Sequence, residues 1–381
     1  MTHTTPAPRV RLDNGGRAPW HPLAREAFER ALDDGWADPR RLHAEGRRAA
    51  ALLDGAREAV AAALGARTEE IHFTTGHTAS LHTAVAALAS ARSRVGRRVV
   101  VGAVERAAVL HAAEHGGLER EVVAVDAVGR VDGAAMSDAV ARPGVALAAL
   151  QLANGEVGTR QPVARVHDAA RAAGVPLLVD AGASIGHDEV PDAWDVLAAD
   201  PADWGGGPGA GILAIRSRVR RRSPFPEDAD PLSPGGVLVP AAFAAAVGLQ
   251  AVLADRAAQD ARRRALVDRI RARVTALPDV EVVGDPVDRL PHVATFSFLY
   301  VDGEALLTDL DREGVAVGSG SACTSSSLEP SHVLAAMGVL THGNVRVALD
   351  RSTSEADVDR FLDALPAAVA RVRAALGVEG L

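Results

Sequence analysis

The sequence predicts an α/β fold, with a mostly parallel sheet in a large unit followed by a smaller α+β unit. Three observations lead there. From residue 71 to about 215, short apolar runs alternate with stretches of helical periodicity, the pattern of βαβ units. Near Asp255 the texture changes to a long charged helix, two strands and a closing helix. The 381 residues, 48% hydrophobic and 24% charged, exceed one ordinary core and suffice for two. The boundaries fall at 14–255 for the large unit and 256–381 for the small one, with 1–13 grouped with the latter.

Residues 20–65 read as helices. Within them Arg40–Gly65 carries apolar residues at helical spacing, with Arg and Glu on the other face. Ile71–Thr74 is a short strand, followed by Thr75-Gly76-His77-Thr78 and a helix from about Ala79. Arg98–Gly102 is a buried strand, and a helix follows near Ala107–Glu114. Val145–Leu152 is a strand, Val163–Ala173 a helix, and Pro176–Asp180 a strand that ends in an acid. Ile212–Ile215 is a further strand. The longest uncharged stretch, Pro231–Ala254, contains Pro234, Gly235, Gly236 and Pro240, and reads as a loop and a buried helix rather than a membrane span. Asp260–Leu277 is a charged amphipathic helix, Val280–Val283 and Val293–Phe298 are strands, and Ser354–Leu376 is the closing helix. Ser217–Asp230, a basic run and then an acidic one, reads as a solvated loop, with a partner-docking patch as the lesser reading. Ligands in such sheets bind beyond the carboxyl ends of the strands, where Thr74–Thr78, Asn154 and Asp180 fall.

Composition narrows the function. A net charge of −8 and 3% aromatics argue against nucleic acid. Cys323 is the one cysteine, so no intramolecular disulfide and no all-cysteine metal site can form. His72, His77 and His82, spaced by five, share no clean face, so no metal site is expected from them. Met1–Asn14 has no apolar run of the secretory type, and a cytoplasmic protein is expected. All 41 basic side chains are arginine. Without a lysine, no side-chain amine is present to form a Schiff base.

Seven stretches along nearly the whole chain carry a resemblance: LDNGGRAP (12–19), LHAEGRRA (42–49), EEIHFTTGHTA (69–79), NGEVGTRQP (154–162), LLVDAGASIG (177–186), GSGSACTSSSLEPSHVL (318–334) and VRVALDRSTSEADVDR (345–360). The chain resembles the cysteine desulfurases (NifS/IscS-like) of the class V aminotransferase group. The resemblance implies the fold type I architecture of pyridoxal-phosphate transferases: a mainly parallel, mixed sheet sandwiched by helices, with a smaller α+β domain carrying the Cys323 loop. It also implies a homodimer, pyridoxal phosphate held on a lysine as electron sink, and a mobile cysteine that takes sulfur as a persulfide. Cys323 stands at that cysteine. Asp180 stands at the acid that pairs with the pyridinium nitrogen, Arg346 at the arginine that binds the substrate carboxylate, and Gly76, His77, Thr78 and Asn154 at residual cofactor contacts.

The family's Ser-x-His-Lys aligns with Asp200-Pro201-Ala202-Asp203, so Asp203 stands at the lysine. The histidine over the cofactor ring aligns with Arg106, the glutamine after the acid with Ala183, the second asparagine of the family's NNEIG with Gly155, and the phosphate-binding threonine with Gly236. Covalent pyridoxal chemistry is therefore not expected. Asp180 could instead cap a turn or pair with an arginine, Thr78 cap a helix, Arg346 serve an ion pair, and Cys323 be a relic. Three readings follow. In the first, the fold has lost covalent chemistry and Cys323 accepts or relays persulfide, or lends a thiolate to an iron–sulfur cluster, for a scaffold or sulfur acceptor. In the second, the chain is a non-catalytic dimer or docking partner, indifferent to Cys323. In the third, it is an active desulfurase with non-covalent pyridoxal phosphate and Asp203 as substitute base.

Overall fold

The computed structural model describes residues 9–226, 230–320 and 330–378. The chain begins with β1 (Val10–Arg11), α1 (Pro22–Asp34) and α2 (Ala44–Leu64). The large unit continues through β2 (Ile71–Thr74), α3 (His77–Ala91), β3 (Arg98–Gly102), α4 (Ala107–His115), β4 (Glu119–Val123), α5 (Gly133–Val140), β5 (Val145–Gln151), α6 (Val163–Ala173), β6 (Leu177–Asp180), β7 (Val196–Ala199) and β8 (Gly211–Ile215). Then come α7 (Val239–Ala254), α8 (Arg256–Thr275), β9 (Val280–Val283), β10 (Val293–Phe298), α9 (Gly303–Arg312), β11 (Val315–Ala316), α10 (His332–Met337), β12 (Asn344–Ala348) and α11 (Glu355–Ala375).

Seven strands form the main sheet in the order β2-β8-β7-β6-β5-β3-β4. The pairings are parallel except that β8 runs antiparallel to both β2 and β7. Six strands therefore point one way, and their carboxyl ends line one edge together with the start of β8. Every residue of β5, β6 and β7 is buried. Such strands have both faces covered, which is why they read as unbroken apolar runs. One face packs on α2, α5, α6 and α7, the other on α3 and α4. Two strands of this sheet escape the sequence reading, as do the short β1 and β11 and the strand β12 elsewhere. β4 (EREVV) is a charged edge strand, and β7 (VLAA) is too short and too uniformly apolar to alternate. The helix α7 is buried nearly all round and packs against α1 and α2. No single helix among the described residues is long and apolar enough to cross a membrane.

The small unit holds an antiparallel sheet, β12-β10-β9, packed on α8, α9 and α11. Phe296, Phe298 and Phe361 are fully buried there. Each such side chain contributes roughly 1.5–3 kcal/mol by leaving water. Val10 and Leu12 lie in this same core, and β1 pairs in parallel with β11. The N-terminal segment then crosses to the large unit. Asn14 Nδ2 donates to the Ala348 carbonyl (2.9 Å), the chain turns through Gly15 and Gly16 (φ +79°), and Ala18 N donates to the Ala202 carbonyl (2.9 Å). Only glycine adopts that left-handed φ at no steric cost.

Candidate functional site

Loops after β2, β3 and β6 converge on Asp180, the last residue of β6. It is only 4% exposed. Its Oδ2 accepts from Arg106 Nε at 2.9 Å. Its Oδ1 accepts from the Gly182 amide at 2.8 Å and lies 3.0 Å from His77 Nε2. His77 opens α3 and Arg106 precedes α4, so both are delivered by strand-to-helix turns. Burial alone would push the Asp180 carboxyl up. The Arg106 guanidinium and His77 override it and hold the group well below the usual carboxylate range. Asp180 in turn raises the pKa of Arg106, with Asp200 and Asp203 adding smaller contributions. Of the roles open to Asp180 in sequence, the turn cap and the arginine pair are both seen.

Gly182 makes this arrangement possible. A Cβ at 182 would sit 2.2 Å from His77 Cε1 and 2.8 Å from both ring nitrogens. The imidazole occupies the space that any side chain at 182 would need.

Asp203 lies in a short 3₁₀ turn, Pro201–Trp204, that follows β7, and it is 2% exposed. Pro201 starts the turn and the Asp200 side chain caps it through the Ala202 amide. Asp203 Oδ1 accepts from the Gly16 amide at 2.7 Å. Oδ2 lies 3.0 Å from His187 Nε2 but receives no hydrogen bond. The reason lies one residue further out. Arg263, fully buried and paired with Asp260 at 2.6 Å, contacts His187 Nδ1 at 2.7 Å. A guanidinium can only donate, so Nδ1 accepts and the ring proton sits on Nε2. That proton is directed at the Asp203 carbonyl, 3.2 Å away. Burial pushes the neighbouring Asp200 carboxyl up, and Asp203 adds to the shift.

His187, Asp203 and His292 each bring one potential ligand atom within 4.8 Å of the others. Two features oppose a metal there. The proton fixed on His187 Nε2 blocks the atom that faces Asp203. The His187 and His292 rings are also stacked, with centroids 4.0 Å apart and planes 28° from parallel. A tetrahedral ion needs ring nitrogens that converge in the planes of both rings. Burial, with the Arg263 guanidinium nearby, keeps His292 well below the usual histidine range.

The other candidates are spread around this centre. Asn154 is committed to the fold: Oδ1 accepts from the Glu156 and Val157 amides, and Nδ2 donates to the Val104 carbonyl. Beside it Glu105 is fully buried, and burial pushes its carboxyl well above the usual range. Gly76 is the cap residue of α3 and Thr78 is exposed in the first turn, so Thr78 is not the cap. Arg346, on β12, reaches Asp13 at 3.1 Å and rests against Gly15. Gly155 faces Ala183, and Gly236 ends a turn closed on Ser233. Cys323 lies outside the described residues. The chain thus gathers His77, Arg106 and Asp180 in one cluster. Asp203 and Arg346 contact consecutive residues, Gly16 and Gly15. Gly182, His187, Arg263 and His292 were not singled out in sequence, where nothing in their spacing ties them to Asp180 or Asp203.

The profile of the aminotransferase class-V family matches residues 10–361. A cysteine desulfurase of Cereibacter sphaeroides is 37% identical, over 96% of this chain and 97% of its own length. An IscS-like cysteine desulfurase of Mycobacterium tuberculosis is 36% identical, over 97% and 98%. Among solved structures, a NifS-like protein superposes with a TM-score of 0.86 at 24% identity, covering 97% of this chain and 99% of that one. DndA from Streptomyces lividans superposes at 0.75 with 28% identity, covering 86% and 96%. The chain belongs to the aminotransferase class-V family, in its cysteine desulfurase group.

Proposed function

We propose that this chain is a cysteine desulfurase-like protein of sulfur transfer that does not carry out covalent pyridoxal chemistry and uses Cys323 as a persulfide acceptor or relay. The observation that carries the first half is that both Asp180 oxygens are already engaged. By resemblance, this carboxylate pairs with the pyridinium nitrogen of the cofactor. Here one oxygen is taken by Arg106 and the other by Gly182, with His77 against it. The His77 ring fills the space beside Gly182. The position that would carry the Schiff base is Asp203, a buried carboxylate, and no lysine occurs in the sequence. The residues present do not fit pyridoxal phosphate.

The second half rests on the family and on the one thiol. The Cys323 thiolate would attack the terminal sulfur of a donor persulfide. The donor S–S bond breaks, the donor leaves as its thiolate, and Cys323 carries the sulfur with no net oxidation. A scaffold or sulfur-acceptor protein would take it from there, in iron–sulfur or thio-cofactor metabolism. With the rest of the family we assign a homodimer, working in the cytoplasm.

The test is an ultraviolet–visible spectrum of protein purified with added pyridoxal phosphate, before and after cysteine, paired with intact mass after borohydride. The expected result is no cofactor band, no reduced adduct and no sulfide. A band that shifts with cysteine would favour an active enzyme with non-covalent cofactor. Incubation with a persulfide donor should add one sulfur to the Cys323 peptide. If wild type and Cys323→Ser behave alike as sulfur acceptors, the non-catalytic docking reading takes its place.

A further inference from the structure

The two ends of the segment that contains Cys323 meet at one carboxylate. Ser331 Oγ donates to Glu156 Oε1 at 2.7 Å. The same hydroxyl accepts from the Leu334 amide at 3.3 Å, where it caps α10, so its one proton is committed to Glu156. From the other end, Gly320 lies against the same oxygen: a Cβ there would be 2.0 Å from Glu156 Oε1. The φ of Gly320 is not left-handed, so the carboxylate and not the backbone excludes a side chain. Glu156 is itself firmly held. It is buried, its amide donates to Asn154 Oδ1 at 2.8 Å, and its carbonyl accepts from Thr295 Oγ1 of β10 at 2.6 Å. Two contacts flank the meeting point. Gly318 and Arg346 exchange backbone hydrogen bonds of 3.0 and 2.7 Å, and His332 Nε2 donates to the Glu105 carbonyl at 2.9 Å.

We propose that Glu156 is the positioning residue of Cys323: its carboxylate gathers Gly320 and Ser331 at one point and so limits where the thiol can go. Chain length sets the scale. Cys323 follows Gly320 by three residues and precedes Ser331 by eight. At about 3.6 Å per residue, its Cα stays within about 11 Å of that of Gly320. The next backbone pairing upstream among the described residues is that of Gly318 with Arg346, five residues from Cys323. Release of Gly320 therefore widens the reach to about 18 Å. A thiol that takes sulfur from one partner and gives it to another has to present itself at a reproducible place. Glu156 provides for that through the two ends of the segment. This rests on the reading that Cys323 carries the sulfur.

The test uses the one cysteine of the chain. A thiol-specific nitroxide attaches at Cys323 alone, and its electron paramagnetic resonance line shape in the full-length protein reads the freedom of that position. Glu156→Ala is expected to sharpen the spectrum. Glu156→Gln, which keeps an oxygen for Ser331, should restore the wild-type shape. Gly320→Ala, whose methyl displaces the carboxylate, should sharpen the spectrum as Glu156→Ala does and add nothing when combined with it. Amide exchange in unlabelled Glu156→Ala protein should quicken by about tenfold or more across 318–320 and 331–334, through loss of a hydrogen bond to a charged group. An unchanged spectrum in folded Glu156→Ala protein overturns the proposal. So does a Gly320→Ala effect that adds in full to that of Glu156→Ala, or a Glu156→Gln label as mobile as that of Glu156→Ala. The two readings fail separately. The label reports position without sulfur chemistry, so an unchanged spectrum leaves the sulfur relay standing. Sulfur uptake by Cys323→Ser as fast as by wild type defeats the relay whatever the spectra give.

Discussion

Replacing Gly182 with alanine isolates the packing that ties up Asp180. The new methyl would lie 2.2 Å from His77 Cε1 and 2.8 Å from the two nitrogens, against an ordinary contact of 3.4–4 Å. The ring has to move by an ångström or more, and its Nε2 cannot then stay 3.0 Å from Asp180 Oδ1. Overpacking of this kind costs about 1–3 kcal/mol. The weakened contact to a buried carboxylate adds about 1 kcal/mol. The φ of Gly182 is not left-handed, so alanine also restricts the unfolded chain, which offsets about 0.4–1 kcal/mol. The net expectation is a loss of about 1–3 kcal/mol.

His77→Ala alone should also destabilise, by about 1–3 kcal/mol, because it empties the space and leaves Asp180 with one polar neighbour fewer. Together the changes should partly cancel, since the methyl at 182 enters room the ring has vacated. The expected coupling is about 1–3 kcal/mol in favour of the double variant. Urea unfolding followed by tryptophan fluorescence measures all four corners, with Trp194 and Trp204 buried as reporters. Gly182→Ala within about 0.5 kcal/mol of wild type, or strictly additive single changes, would refute the packing argument.

Other consequences can be measured in the same preparations. Asp203→Lys alone should give no stoichiometric borohydride-stable adduct with pyridoxal phosphate, as read by intact mass, because Arg106 and His77 still hold Asp180. Zinc added to metal-free protein should leave its melting temperature unchanged, because the His187 tautomer and the stacked His187 and His292 rings spoil the three-residue cluster. Burial pushes the Glu70 carboxyl up, but the Ser217 and Arg67 amides outweigh it and bring it down to about 2. A depressed folded pKa stabilises fully above the unfolded value of about 4.5 and loses that stability as pH falls toward 2. Glu70→Gln should therefore cost about 1–3 kcal/mol at neutral pH and flatten the acid limb of a circular-dichroism titration between about pH 4 and 2.

What the sequence reveals about this site and what it hides differ in kind. Strands such as Val145–Gln151 and Leu177–Asp180 are legible because burial on both faces requires continuous apolar runs. The substitutions at Asp203 and Arg106 are legible because each stands inside a recognisable local pattern. A pattern shows which group has gone, but not what now meets the groups that stay. Asp180 is unchanged, and by itself would suggest a working pyridinium partner. Only geometry brings His77, 103 residues earlier, to its side and makes Gly182 the residue that admits the ring. The same holds for Asp203, whose free oxygen is set by a proton on His187 that Arg263 fixes from the other unit. A pocket that had merely drifted would leave Asp180 facing open space. Here an arginine, a histidine and a glycine from three separate turns fit one another around it. That fit is the argument for the proposed reading, in which the Asp180 carboxylate serves the fold rather than a pyridinium nitrogen.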